Sequence, residues 1–242
     1  MPQRQASNKA PTVGIIGGLG PAATCALYHH VIVNTPARRD QDHLHVIIDS
    51  DPSTPDRTEA LLGRCESPLP WLVRSARMLE SAGASLLAMP CVTGHAFIDD
   101  IRKAVSVQVL SMVDQTAKAL NREHPEVDTV GLLATDGTLQ ADVFAPLRSR
   151  YTLLLPEDDN QRQVMSAVYG PSGVKTVGAN STAAQMLRRV AEGLIAHGAE
   201  AIIAGCTEIP LVLRREDLAV PLLDTLEVLA QAIIRTALLP QR

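Results

Sequence analysis

Two cysteines stand in matched surroundings in this chain of 242 residues. Gly83-Ala84 opens an apolar run that ends at Cys91, and Gly198-Ala199 opens one that ends at Cys206, with eight positions from glycine to cysteine in both. Each run then gives way to polar residues, in Met89-Pro90-Cys91-Val92-Thr93-Gly94-His95 and in Ala204-Gly205-Cys206-Thr207-Glu208-Ile209-Pro210. A thiol where a strand ends and a helix begins can have a lowered pKa and exist partly as thiolate. The free N–H groups of the same helix start favour a bound carboxylate. Two such thiols on opposite faces of a carbon can invert it: the thiolate removes a proton from one face, the thiol delivers one to the other, and the roles exchange with the handedness of the substrate. A lone buried cysteine is ordinarily an inert small hydrophobe. The matched setting sets this pair apart, and Cys25 and Cys65 lack it.

The elements needed to hold such a pair are visible as apolar runs. Thr12–Ile16, His45–Ile48, Ala84–Met89, Val107–Leu110, Thr129–Leu133, Thr152–Leu155, Glu200–Ala204 and Val220–Leu223 read as strands buried on both faces, because they are solidly apolar rather than alternating. Between them, Pro70–Ala82, Met112–Arg122, Ser181–His197 and Thr225–Leu238 read as helices. Strands alternating with helices give an α/β fold with mostly parallel sheets covered on both sides. The chain also repeats itself: Thr12-Val13-Gly14-Ile15-Ile16 echoes Thr129-Val130-Gly131-Leu132-Leu133, and Val107–Leu110 echoes Val220–Leu223. Two pseudo-symmetric α/β domains are expected, the first from 12–112 plus 223–242 with Cys91, the second from 113–222 with Cys206. Residues 1–11 form a polar stretch without an apolar core, read as a disordered lead and not a signal peptide.

Composition narrows the partners. A net charge of −4 without a long basic run removes the electrostatic footprint of nucleic-acid or membrane-surface binding. Aromatics at 2 % leave no platform on which bases could stack. No apolar run is long enough for a transmembrane helix. Four widely spaced cysteines suit neither a disulfide framework nor a zinc set, so a reducing, cytoplasmic setting with free thiols is expected. The seven histidines are scattered, and no metal ligand set is expected.

Around these residues the sequence resembles the aspartate/glutamate racemase family, from about Thr12 to Leu239. The resemblance is carried by Gly14-Ile15-Ile16-Gly17-Gly18-Leu19-Gly20-Pro21 with Ala23-Thr24, by Pro52-Ser53-Thr54-Pro55-Asp56-Arg57-Thr58, by Pro90-Cys91 with Thr93 and His95, and most specifically by Gly205-Cys206-Thr207-Glu208-Ile209-Pro210. Ala134-Thr135-Asp136-Gly137-Thr138 and the segment around Lys175 add to it. The resemblance implies a two-domain enzyme with its active site in the interdomain cleft, working without pyridoxal phosphate or another cofactor, as a homodimer, on a small amino acid with carboxylates. Cys91 and Cys206 would be the catalytic pair. Gly18, Ser53, Thr54, Arg57, Val92, Thr93, Lys175, Thr207 and Glu208 would contact the substrate, with Glu208 at its ammonium group or capping local structure. An arginine fork suits a carboxylate independently of any resemblance. His95 is expected to be a hydrogen-bonded structural residue.

One position departs from the family. Its first motif usually reads Pro-Cys-Asn-Thr, and here Val92 stands where the asparagine would be. Valine can neither donate nor accept a hydrogen bond, so weak aspartate recognition is expected, and a different small acid becomes an alternative substrate. A non-catalytic binding protein on the same scaffold is the second alternative. A nucleotide-binding oxidoreductase is the third, since Gly18-Leu19-Gly20-Pro21-Ala22-Ala23 formally fits a dinucleotide glycine loop.

Overall fold

The computed structural model describes residues 11–238. Residues 1–10 of the expected lead (1–11) lie outside the described residues. Eight strands form, one at each expected run: β1 (Val13–Gly17), β2 (Val46–Ser50), β3 (Leu86–Ala88), β4 (Gln108–Val109), β5 (Thr129–Ala134), β6 (Thr152–Leu154), β7 (Ala201–Gly205) and β8 (Leu222–Asp224). The helices are α1 (Pro21–Asn34), α2 (Arg57–Leu61), α3 (Leu69–Ser81), α4 (Ile98–Ala104), α5 (Met112–Glu123), α6 (Asp136–Gln140), α7 (Asp158–Tyr169), α8 (Val174–Val177), α9 (Ser181–Ala196) and α10 (Thr225–Leu238).

The strands make two four-stranded sheets of the same order, β2-β1-β3-β4 and β6-β5-β7-β8, and every pairing is parallel. The internal repeat is therefore real at the level of topology. Its Gly-Ala signal has a backbone cause. Gly83 and Gly198 follow α3 and α9 with φ of +97° and +98°, a left-handed conformation that favours glycine at helix ends. In both turns the following alanine N–H reaches five residues back, Ala84 to the Leu79 carbonyl and Ala199 to the Leu194 carbonyl, each at 3.0 Å. The same turn thus launches β3 and β7, the strands that lead to the two cysteines.

The chain crosses between the sheets twice, through α5 and again after β8, where α10 returns to pack against α1 and α5. One apolar core serves both sheets: Ile15, Leu86 and Ala88 from the first and Val130, Leu132 and Ile203 from the second meet Leu226, Leu229 and Ile233 of α10. Each sheet covers its other face separately, the first with Leu72, Ala76 and Leu79 of α3, the second with Leu187, Val190 and Leu194 of α9. Among the described residues no helix is long and apolar enough to cross a membrane.

Candidate active site

Both cysteines lie just past the carboxyl ends of central strands, where open parallel sheets gather their ligands. Cys91 enters a short 3-10 turn over Thr93–Phe97, and Cys206 one over Ile209–Leu211. Both are buried, at 6 % and 5 % exposure, whereas Cys25 and Cys65 are exposed.

The turn after Cys91 is fixed by His95. Its Nδ1 donates to the Cys91 carbonyl at 2.8 Å, and its Nε2 accepts the Met112 N–H at 2.9 Å. That pair of bonds demands a neutral ring, and burial pushes its pKa down to about 4. His95 therefore ties the Cys91 turn to the first residue of α5, the structural role expected for it. The Cys91 sulfur accepts the Gly94 N–H at 3.3 Å.

Arg57 sits beside this sulfur. Its Nη1 donates to the carbonyls of Thr54 (3.2 Å) and Pro55 (3.0 Å) and its Nη2 to that of Leu19, while Nε is buried without a partner. Burial works against its charge, but negative charge at Cys91 and Asp56 outweighs this and holds the pKa raised. Asp56 caps α2 by accepting the N–H groups of Thr58 and Glu59, which aims Arg57 from the helix start.

Around Cys206 the polarity is reversed. Its sulfur donates to Glu208 Oε2 at 3.2 Å, the same oxygen that accepts the Thr207 hydroxyl at 3.2 Å. Glu208 Oε1 accepts Lys175 Nζ at 2.8 Å, and Lys175 also reaches the Leu19 carbonyl at 3.4 Å. Burial first, and the Glu208 carboxylate second, push the Cys206 thiol well up, with Lys175 opposing. The lowered thiol pKa expected at a strand-to-helix junction is thus overturned here, because only a short turn follows and a carboxylate faces the sulfur. Burial would lower the Lys175 pKa, but Glu208 and Cys206 hold it raised.

The two units touch across the site through hydroxyls. Thr58 and Thr93 of the first meet Thr135 and Thr138 of the second in a buried cluster with Oγ1 separations of 2.8–3.1 Å. Tyr169, at the end of α7, donates across the cleft to Asp56 Oδ2 at 3.0 Å, and Lys175 Nζ lies 5.6 Å from its ring centre. Burial pushes the Tyr169 phenol up, and the charge of Asp56 adds to it.

These residues enclose two connected spaces. An inner cavity of about 10 Å³ is lined by Leu19, Arg57, Cys91, Val92, Thr93, Thr135, Tyr169, Lys175, Cys206, Thr207 and Glu208. An outer cavity of about 620 Å³ is lined by Gly18, Gly20, Pro21, Ala22, Pro52, Thr54, Asp56, Val174 and Gly178, and shares Leu19, Arg57, Lys175 and Glu208 with the inner one. Of the residues singled out in the sequence, Cys91, Cys206, Arg57, Val92, Thr93, Lys175, Thr207 and Glu208 line the inner cavity, and Gly18 and Thr54 the outer. Ser53 lines neither: it is exposed, and its hydroxyl is committed to Asp51 Oδ1 at 2.6 Å. Arg57 and Lys175 are present but already engaged by carbonyls and by Glu208. Tyr169, Leu19 and the cross-cleft contacts of Asp56 and Thr135 join the site without being among those residues. Asp56 and Thr135 lie within recognised motifs, whereas a tyrosine before Gly170-Pro171 gives no signal in sequence.

Two four-stranded parallel sheets meet at a cleft between their strand ends with a cysteine from each side, and similarity to known proteins places the chain among the amino-acid racemases. The Asp/Glu/hydantoin racemase family pattern matches residues 16–233, and the chain belongs to that family. It is 27 % identical over 234 residues to the broad specificity amino-acid racemase RacX of Bacillus subtilis (strain 168), covering 93 % of this chain and 98 % of that protein. The Picrophilus torridus aspartate racemase structure is 30 % identical with a TM-score of 0.82, covering 94 % of each chain. The glutamate racemase of Francisella tularensis subsp. tularensis SCHU S4, solved with D-glutamate, is 15 % identical with a TM-score of 0.67 over 93 % of this chain and 80 % of that one, and shares the fold.

Proposed function

We propose that the protein racemises an amino acid by two-base proton transfer between Cys91 and Cys206, with aspartate or glutamate as the first substrates to test. The observation that carries this reading is that two buried cysteines, delivered by topologically equivalent strands, line one cavity. The α-carbon sits between the sulfurs. One sulfur takes the α-proton, the other returns a proton from the opposite face, and the carboxylate lies against the backbone N–H groups at Thr93 and Thr207. Arg57 supplies fixed positive charge beside Cys91. Neither a metal nor a cofactor enters this reading. The thiols suit a cytoplasmic, reducing compartment, and the working form is proposed to be a homodimer, each copy built of a first unit (12–112 with 223–242) and a second (113–222).

Val92 supports a wider substrate range. It is 1 % exposed, packs into the shared core, and puts an apolar wall on the inner cavity. Both cations there are already engaged, so a side-chain carboxylate must compete with Glu208 for Lys175. The similarity to a racemase named for broad specificity supports the same view. The test is incubation with a panel of L- and D-amino acids in D2O. Expected are α-deuterium incorporation with loss of optical activity, and the absence of both in Cys91→Ala and Cys206→Ala. Binding without exchange across the whole panel would replace the enzyme reading with that of a binding protein.

A further inference from the structure

Glu208 is 3 % exposed, and both of its oxygens are spent on protein groups: Oε1 on Lys175, Oε2 on Thr207 and Cys206. Three of the roughly four lone-pair sites of the carboxylate are thus taken by protein groups. We propose that Glu208 acts through Cys206 and not on the substrate: it is a positioning residue that keeps the proton on Cys206, so that the resting enzyme waits with Cys206 as the acid and Cys91 as the base. This rests on the two-cysteine reading given above.

The polarity of the two sulfurs carries the inference. The Cys206 sulfur faces a hydrogen-bond acceptor, and that contact exists only while the thiol holds its proton. The Cys91 sulfur faces a donor, the Gly94 N–H, with the Arg57 guanidinium alongside. The charged and titratable groups around Cys206 are Glu208, Lys175 of α8, Tyr169 at the end of α7, Arg57 at the start of α2, and Cys91 itself. Among the described residues, only the Glu208 side chain hydrogen-bonds to the Cys206 sulfur. The first unit is shaped around the carboxylate: a Cβ built on Gly20 would lie 2.2 Å from Glu208 Oε1, so a side chain at that position would displace it.

The proton balance follows. The Cα–H bond breaks and its proton goes to the Cys91 thiolate. The Cys206 S–H bond breaks and its proton goes to the opposite face of the α-carbon. The product leaves an enzyme with a Cys91 thiol and a Cys206 thiolate beside a carboxylate. Repulsion from Glu208 favours return of a solvent proton to Cys206, as Cys91 gives one up to solvent, which resets the resting form. Enantiomers have equal free energy, so kcat/KM is equal in the two directions whatever Glu208 does. Its effect is confined to the split between kcat and KM and to the thiol itself.

The test is the ultraviolet thiolate titration of Cys206 in a Cys25→Ser/Cys65→Ser/Cys91→Ser background, with and without Glu208→Gln. Glu208→Gln is expected to lower the titration midpoint by about one pH unit or more, and Glu208→Asp to keep most of the wild-type value. Glu208→Gln/Lys175→Met, read against Lys175→Met alone, serves if the single variant does not fold. In the otherwise native protein, Glu208→Gln is expected to change the ratio of the two enantiomers' KM values while leaving their kcat/KM values equal. An unmoved midpoint overturns the proposal. A moved midpoint in a protein whose Cys91→Ala variant still racemises would keep the role of Glu208 and overturn the two-cysteine reading instead.

Discussion

Replacing Gly137 by alanine should separate the two halves of the site without touching either cysteine. Gly137 lies in α6 of the second unit, against α2 of the first, and a Cβ there would stand 2.6 Å from the Thr58 Cα and 3.1 Å from its Cβ and Oγ1. Ordinary contact begins at 3.4 Å, so the opposing backbone must retreat by at least 3.4 − 2.6 = 0.8 Å. No side-chain rotation relieves this, because the nearest atom is main chain. Thr58 adjoins Arg57 and bonds to Thr135, so the displacement enters the cavity wall directly. Overpacking of this kind costs about 1–3 kcal/mol, offset by roughly 0.5–1 kcal/mol from alanine's greater helix propensity. Misplacement of reacting groups by about 1 Å can cost on the order of 100-fold in rate, so a loss of roughly 10- to 100-fold in kcat/KM is expected with a modest fall in Tm. The assay follows optical rotation or circular dichroism of the substrate, alongside thermal melting. A variant with lowered Tm but wild-type kcat/KM would refute the reasoning, since the spacing of the units at Gly137 would then not set the spacing of the sulfurs.

Cys91→Ala and Cys206→Ala are each expected to abolish racemisation with the fold intact, while Cys25→Ala and Cys65→Ala, both at exposed positions, stay near wild-type turnover. His95 has a folded pKa of about 4 against an ordinary value of 6.5, so its stabilising effect is complete above pH 6.5 and is lost as pH falls towards 4. That amounts to about 3 kcal/mol; urea unfolding of His95→Gln, which keeps a donor and an acceptor, should show a shallower loss over this window than wild type. Lys175→Met leaves Glu208 without its ion-pair partner and is expected to lower stability by roughly 3 kcal/mol, largely recovered in Lys175→Met/Glu208→Leu. Val92→Asn should raise kcat/KM for L-aspartate relative to apolar amino acids by about tenfold, the value of one hydrogen bond to a charged group; fast aspartate turnover in wild type, unchanged by asparagine, would remove position 92 from substrate recognition.

The fold was legible because its causes are local. Solid apolar runs marked all eight strands, and the Gly-Ala pairs at 83 and 198 marked the left-handed turns that launch the two key ones. The cysteine pair was legible through the same repetition. What the sequence hid are contacts between residues far apart in the chain. Tyr169 and Asp56 are 113 positions apart, and Thr93 and Thr138 are 45 apart, and neither pairing leaves a local pattern. Ser53 failed for the opposite reason: its local partner Asp51, two residues away, holds it at the surface. For Cys206, strand-end placement argues for a thiolate, while burial first and the carboxylate two residues on second argue more strongly for the thiol.

The double crossing of the chain, with a core common to both sheets, constrains how a substrate can enter. A space of about 10 Å³ admits roughly one water molecule, so an amino acid needs the inner walls to part. Sliding or pulling the units apart would expose the apolar seam formed by α10 with both sheets. A swing about the line through the two crossings would keep that seam in contact while widening the side where Gly18, Gly20, Lys175 and Glu208 rim the outer cavity. An opening of that kind would be a single rotation, and the two sulfurs, one carried by each unit, would separate and return with it.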